Sequence, residues 1–336
     1  MGGLLDLVMI WTVIIALSVF LYVLLDGFDL GVGILYAFAN EQERPMVMNA
    51  IAPVWDGNET WLILGGVALL SVFPLAFAII IPAVYFPVLM MLLALVFRGV
   101  AFEFRFKQPW ISRFWAKGFC YGSAVATFAQ GAVLGAFIQG FAVRGRDFAG
   151  SSWDWLTPFS ATTGIALMFG YALLGAGWLV IKTEGELQTW ARRMGRIALF
   201  GTLAAVVLVS VWTPLADADI MRRWMAWPNL LALSPIPVAT GLIAYLGWTA
   251  TEGRGGDQRM FIAGMGLFLV SYLGIAISLW PMIVPHHYSL WQASSSPDTQ
   301  AFLLVGTLLL LPVILFYTAW SYWVFRGKLQ AGIGYH

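Results

Sequence analysis

Charge is what this chain has least of. Asp, Glu, Lys and Arg make up 10% of its 336 residues and hydrophobic residues 60%, against about 25% charged in a soluble domain. With a mean hydropathy of +0.82, that scarcity excludes a soluble globular protein and points to an integral membrane protein. There is a single cysteine, Cys120, so an internal disulfide and any multi-cysteine zinc or iron–sulfur site are excluded. Histidines number three, His286, His287 and His336. The adjacent pair falls at the end of an apolar run, where neighbours on a helix point about 100° apart and cannot clamp one haem between facing helices. The expectation is that they are hydrogen-bonded interface residues. No glycine-rich phosphate loop, Walker sequence, dinucleotide fingerprint or nucleophile elbow occurs. Alternating segments of a membrane β-barrel are also missing. A formal net charge of +1 gives no ground for a nucleic-acid partner.

What is present is a series of long apolar runs, such as 7–25, 62–97 and 302–324, each able to cross a hydrocarbon core of roughly 30 Å. The fold class expected is therefore all-α, with about nine transmembrane helices near 7–38, 50–72, 76–97, 118–141, 157–181, 196–214, 228–250, 260–281 and 302–325. The first run has no Lys or Arg before it and no small-residue cleavage site after it, so it reads as a retained helix. Basic residues sort the topology. Arg44, Arg98, Arg105, Lys107, Arg113, Lys117, Lys182, Arg192, Arg193, Arg196, Arg254, Arg259, Arg326 and Lys328 fall on one side, 14 of the 18 Lys and Arg. This predicts an outer N-terminus and a cytoplasmic C-terminus. Tryptophans at proposed span ends (Trp110, Trp115, Trp153, Trp155, Trp212, Trp224, Trp227, Trp280, Trp291, Trp320, Trp323) fit an interfacial belt. Gly31, Gly33, Gly65, Gly66, Gly131, Gly135 and Gly140 fit close helix packing. The stretch Gly170 to Gly177 faintly echoes Gly27 to Gly33 without its acids.

Set against this apolar background are two acid-bearing segments. Asp26 and Asp29 lie inside the first run, and Asp56 and Glu59 open the second, after Pro53 and between Trp55 and Trp61. Each pair is three residues apart and shares a helix face. By the topology above, both approach the cytoplasmic side. An ionised carboxylate at bilayer depth costs about 2.5–3.5 kcal/mol on insertion scales, so such groups face a bundle interior, a water-filled cavity or a partner. Two readings stand side by side: a coupled set of acids that passes protons, or static acids that cap helix ends and meet arginines such as Arg98. For Arg98 to Glu103, the spacing makes a poor helical pair and positive-inside anchoring accounts for much of the charge.

Taken together, Asp26 to Gly33, Pro53 to Leu62 (with Trp55, Asp56, Asn58, Glu59 and Trp61), Phe97 to Arg105 (with Arg98 and Glu103), Ser289 to Ser296 and Pro312 to Trp320 resemble subunit II of the cytochrome bd quinol oxidases, from end to end. The resemblance implies a respiratory complex in the bacterial cytoplasmic membrane that oxidises quinol and reduces dioxygen to water. It implies a haem-bearing partner, subunit I, with two haems b and one haem d, or a variant haem b. Subunit II is then a haem-free pseudo-symmetric partner of two four-helix bundles and one peripheral helix, here about 1–141, 157–281 and 302–325. It further implies lipid contacts, small single-helix accessory subunits and, in some members, a structural quinone. In that family the acid after the Trp of the second motif lies on a proton path to the partner's haem site, a position held here by Asp56. Asp26 and Asp29 match the first-helix acids. Glu59 stands where some members carry Gln, and the shorter chain is similar to the cyanide-insensitive branch.

Two other classes fit some of the same residues. A proton-coupled secondary transporter also carries acids within its spans, although it would show matched broken helices in two halves. A purely structural assembly subunit would need the acids only as static pairs.

Overall fold

The computed structural model of the protein describes residues 6–107 and 112–329. Trp110 and His336, and the side chain of Lys107, lie outside the described residues. The chain forms α1 (Leu7–Tyr36), α2 (Arg44–Asn49), α3 (Trp55–Val72), α4 (Pro74–Ala83), α5 (Tyr85–Lys107), α6 (Ser112–Gln139), α7 (Pro158–Lys182) and α8 (Gly185–Ala216). There follow α9 (Ala218–Met225), α10 (Asn229–Leu233), α11 (Pro235–Thr251), α12 (Arg259–Leu279), α13 (Leu290–Ala293) and α14 (Pro297–Val324). Two short antiparallel hairpins, β1 (Val143–Arg144) with β2 (Asp147–Phe148) and β3 (Met282–Val284) with β4 (Tyr288–Ser289), close one end. Among the described residues, 8 helical segments are long and apolar enough to span a membrane. The protein is thus an all-α membrane protein.

Local chemistry sets the helix limits. Asp6 caps α1 by accepting from the Val8 and Met9 amides at 3.0 and 3.3 Å, and Thr157 with Ser160 forms a reciprocal capping box ahead of α7. The run expected to span 76–97 is divided. Residues 74–83 form α4, a 10-residue helix too short to cross, and the next helix starts at Tyr85. Phe73 takes φ −121°, ψ 59° because Pro74 disfavours helical backbone in the residue before it. Pro87, in the first turn of α5, supplies no amide to the preceding carbonyls. Continuous apolar composition hides this break. The expected sixth span is the inner part of a longer helix, since α8 already starts at Gly185, where φ is +65°.

α1 is the hub, packing on α3, α6, α7, α12 and α14. Small residues permit this. A Cβ on Gly31 would fall 1.8 Å from the Tyr171 carbonyl oxygen, and one on Gly175 would fall 2.5 Å from the Gly31 carbonyl carbon. The two glycine stretches that echo each other in sequence are therefore packing partners. Gly131 and Gly135 play the same part between α6 and α7, against Thr163 and Ser160. Gly140 differs: its φ of +81° ends α6 in a turn. One apolar core runs through α1, α5, α6, α7, α8 and α12, and a second gathers α4 with the hairpin end. Trp155, expected in the interfacial belt, is buried in that second core.

The histidine pair is not on a helix. His286 and His287 occupy the β3–β4 turn, His286 with φ 66°. His286 Nε2 lies 3.2 Å from Asp217, and His287 Nε2 lies 3.1 Å from the Phe141 carbonyl oxygen.

Candidate functional site

The acid-bearing segments converge where α1, α3 and α5 meet. Asp26 and Asp29 are wholly buried, one turn apart on α1. Arg98, near the middle of α5, is 1% exposed and donates from Nη1 to Asp26 Oδ1 at 2.8 Å. Its other terminal nitrogen donates to Glu59 Oε1 on α3. Arg98 is thus a buried bridge between two helices, and positive-inside anchoring does not describe it. A guanidinium suits this post because its planar fork serves two carboxylates at once and stays charged when buried.

Asp29 uses a different partner. Asn58 Nδ2 donates to Asp29 Oδ2 at 2.7 Å and to the Leu25 carbonyl at 3.3 Å, and Asn58 Oδ1 accepts from the Tyr322 hydroxyl of α14 at 2.9 Å. One amide thereby ties α3 to α1 and α14. Trp55 covers the cluster from outside, its ring 5.8 Å from the Arg98 guanidinium and stacked on Phe102 at 5.4 Å. Trp61 is 1% exposed, and its carbonyl accepts from Ser18 Oγ at 2.7 Å. Glu103 lies beyond this group, exposed near the end of α5.

Exposure falls in sequence along the acids. Asp56 is exposed in the first turn of α3, the Glu59 side chain is 27% exposed, and Asp26 and Arg98 are 0% and 1% exposed. Asp56 lies outside the buried cluster, one turn before Glu59 on the same helix. Asp26 Oδ2 and Asp29 Oδ1 are buried with no hydrogen-bond partner among the described residues. A buried acceptor left open in this way is costly. Such oxygens suit ordered water or a mobile proton.

Four residues that sequence reasoning missed complete the polar interior. Tyr22 lies one turn before Asp26 on α1, where its oxygen accepts from Gln130 Nε2 at 2.6 Å, and the Tyr171 hydroxyl donates to Gln130 Oε1 at 2.8 Å. Tyr322 is the fourth. The i−4 spacing of Tyr22 to Asp26 was a readable signal. Gln130, Tyr171 and Tyr322 come from distant helices and carried none.

Neither His286 nor His287 is placed as a haem ligand. In helix bundles, cofactor sites are built in the bundle core from side chains on facing helices. His286 and His287 are exposed in a surface hairpin and engaged by Asp217 and Phe141, so they do not fit that role.

The family model described as cytochrome bd terminal oxidase subunit II matches residues 7–325. The chain belongs to this family. As a bd oxidase subunit II, it is 28% identical over 363 residues to the cytochrome bd-I ubiquinol oxidase subunit 2 of Escherichia coli K12, covering 95% of this chain and 94% of that protein. It is 28% identical to the cytochrome bd ubiquinol oxidase subunit 2 of Bacillus subtilis, covering 96% of each. The fold matches the structure of a bd oxidase from Geobacillus thermodenitrificans with TM-score 0.75 at 15% identity, over 96% of this chain and 100% of that one. A bd oxidase subunit II is a subunit of an oxidoreductase and works beside a subunit I.

Proposed function

We propose that this subunit lines a proton path from the cytoplasm toward the haem site of subunit I, in a complex that oxidises quinol and reduces dioxygen to water. The observation that carries this reading is the graded series Asp56, Glu59, Asp26 and Asp29, from exposed to wholly buried. Glu59 and Asp26 share one guanidinium, and the hydrogen-bond partner of Asp29 among the described residues is a neutral amide. The cluster therefore has more carboxylates than fixed cation, and a proton is the natural compensating charge. Asp56 is the surface collector, Glu59 the next station, and the open oxygens of Asp26 and Asp29 the buried acceptors.

In this reading subunit I supplies two haems b with a haem d or variant haem b. Quinol is the substrate, and a structural quinone, small single-helix subunits and lipid complete the complex. The chain folds as two four-helix bundles and a last helix in the bacterial inner membrane. Its N-terminus is periplasmic and its C-terminus cytoplasmic, supported by the sorting of basic residues.

Replacing Asp56 with Asn keeps the volume and removes the titratable proton. Oxygen consumption and proton uptake by the assembled complex should both slow. Wild-type rates for both would remove Asp56 from the path. A reduced-minus-oxidised visible spectrum of the complex purified through this chain should carry haem b and haem d bands, or haem b alone in the variant branch. A colourless preparation without subunit I would instead favour a transporter.

A further inference from the structure

Above the acids, α1 presents a second polar level that the proposed path does not use. Tyr22 is 4% exposed and Tyr171 is fully buried, although each carries a hydroxyl. The two are joined through Gln130 of α6, and the direction of every bond can be counted. The Tyr171 hydroxyl spends its one hydrogen on Gln130 Oε1. That fixes the Gln130 amide so that its nitrogen faces Tyr22, whose oxygen accepts it at 2.6 Å. The Tyr22 hydrogen and the second Gln130 amide hydrogen are the donors in this group left to place, and only the Tyr22 hydrogen lies on the helix that carries the acids. One helical turn along the same face of α1 is Asp26, buried like Tyr22. Asp26 Oδ1 is held by Arg98, whereas Oδ2 is buried and open.

We infer that Tyr22, oriented by Gln130 and Tyr171, is a positioning residue whose hydroxyl serves the open oxygen of Asp26. The inference rests on the proton-path reading above and assigns that path its second wall. Arg98 grips one carboxyl oxygen from the α5 side, and the Tyr171–Gln130–Tyr22 thread orients the other from α6 and α7. A carboxyl held at both oxygens accepts and releases a proton from one fixed geometry. The glycine pattern supports this arrangement. A Cβ on Gly27 would lie 2.7 Å from Tyr171 Cε1, so the residue after Asp26 must be small for Tyr171 to reach Gln130. Among the described residues, Arg98, Glu59, Asp29, Tyr22, Tyr171 and Tyr322 are the charged and titratable groups around Asp26.

The test uses the assembled membrane complex. The infrared carboxyl band that disappears in Asp26→Asn is identified first in difference spectra. Tyr22→Phe, which keeps the ring, should shift that band and slow oxygen consumption by about tenfold, as loss of a hydrogen bond to an ionisable group implies. Gln130→Leu should shift the same band, and it keeps the test open if Tyr22→Phe fails to assemble. Tyr36→Phe, another buried hydroxyl on α1, should leave band and rate unchanged. An unmoved band in Tyr22→Phe overturns the inference, as does the absence of any band that Asp26→Asn removes. If Asp26→Asn keeps wild-type proton uptake while Tyr22→Phe still shifts the band, the proton path falls and the positioning contact stands.

Discussion

Arg98 and Asp26 are 72 residues apart in sequence and meet at 2.8 Å, where they are 1% and 0% exposed. Neither would be stable alone at that depth, because a lone buried charge has lost its hydration with nothing in return. The pair fixes the distance between α1 and α5, and the second arm of Arg98 fixes α3 to both.

Removing the cation should therefore cost more than removing the pair. Arg98→Met leaves Asp26 uncompensated and should destabilise the subunit by about 3–5 kcal/mol. Arg98→Met combined with Asp26→Asn should recover a good part of that loss. Thermal unfolding of the detergent-solubilised complex checks both, and equal melting points for the single and double variants would contradict the account.

Asn58 is the tie on the other acid. Asn58→Leu strands Asp29 Oδ2 and the Tyr322 hydroxyl, each bonded to Asn58 at 2.7 and 2.9 Å. An unmade buried hydrogen bond costs about 1–3 kcal/mol. Tyr322→Phe, which empties only one acceptor site, should cost clearly less in the same unfolding assay.

At the helix crossings, space decides the outcome. Gly31→Val drives a side chain into the α7 backbone, where even a Cβ would be 1.8 Å from the Tyr171 carbonyl oxygen. Little folded complex should be recovered by size exclusion. At Gly66, no atom of the described residues beyond its chain neighbours and its own helix backbone lies within 4 Å of an added Cβ, so Gly66→Ala should assemble at wild-type yield.

Outside the spans, Asp257 links the α11–α12 loop to α8 and the C-terminal segment, lying 2.8 Å from Arg192 and 2.5 Å from Lys328. The Lys328 hydrogen bond holds its carboxyl below the ordinary value of 3.8. A folded-state value below the unfolded one gives stability that is full above the ordinary value and is lost as pH falls through the folded one. Asp257→Asn should narrow the stability gap with wild type as pH drops below about 4, the ordinary carboxylate range. A gap of constant size across that range would refute the assignment. The effect should be small and salt-sensitive, since the side chain is 37% exposed.

Much of this was legible in the residues themselves. Long apolar runs dictate helices because backbone groups in lipid have no other partners, and acids three apart within such runs must turn inward. Asp26, Asp29 and Glu59 were found in this way. Asp56 was legible as the opening acid of α3, and the fold sets it at the exposed rim of the cluster.

Tertiary structure decided the rest. Arg98 was legible both as a partner for static acids and as an interfacial anchor, and only the fold, which extends its side chain from α5 to Asp26 of α1 and Glu59 of α3, makes it a buried bridge. The break at Val84 was hidden by apolar residues on both sides, and the histidine pair was lifted off a helix into a hairpin turn. Gln130, Tyr171 and Tyr322 come from helices far along the chain. The sequence by itself determined that the chain would be helical, membrane-bound and acid-bearing, because burial in lipid acts on each residue locally. Which donor answers which acid depends on contacts between residues up to hundreds of positions apart, and only the folded arrangement of helices sets those.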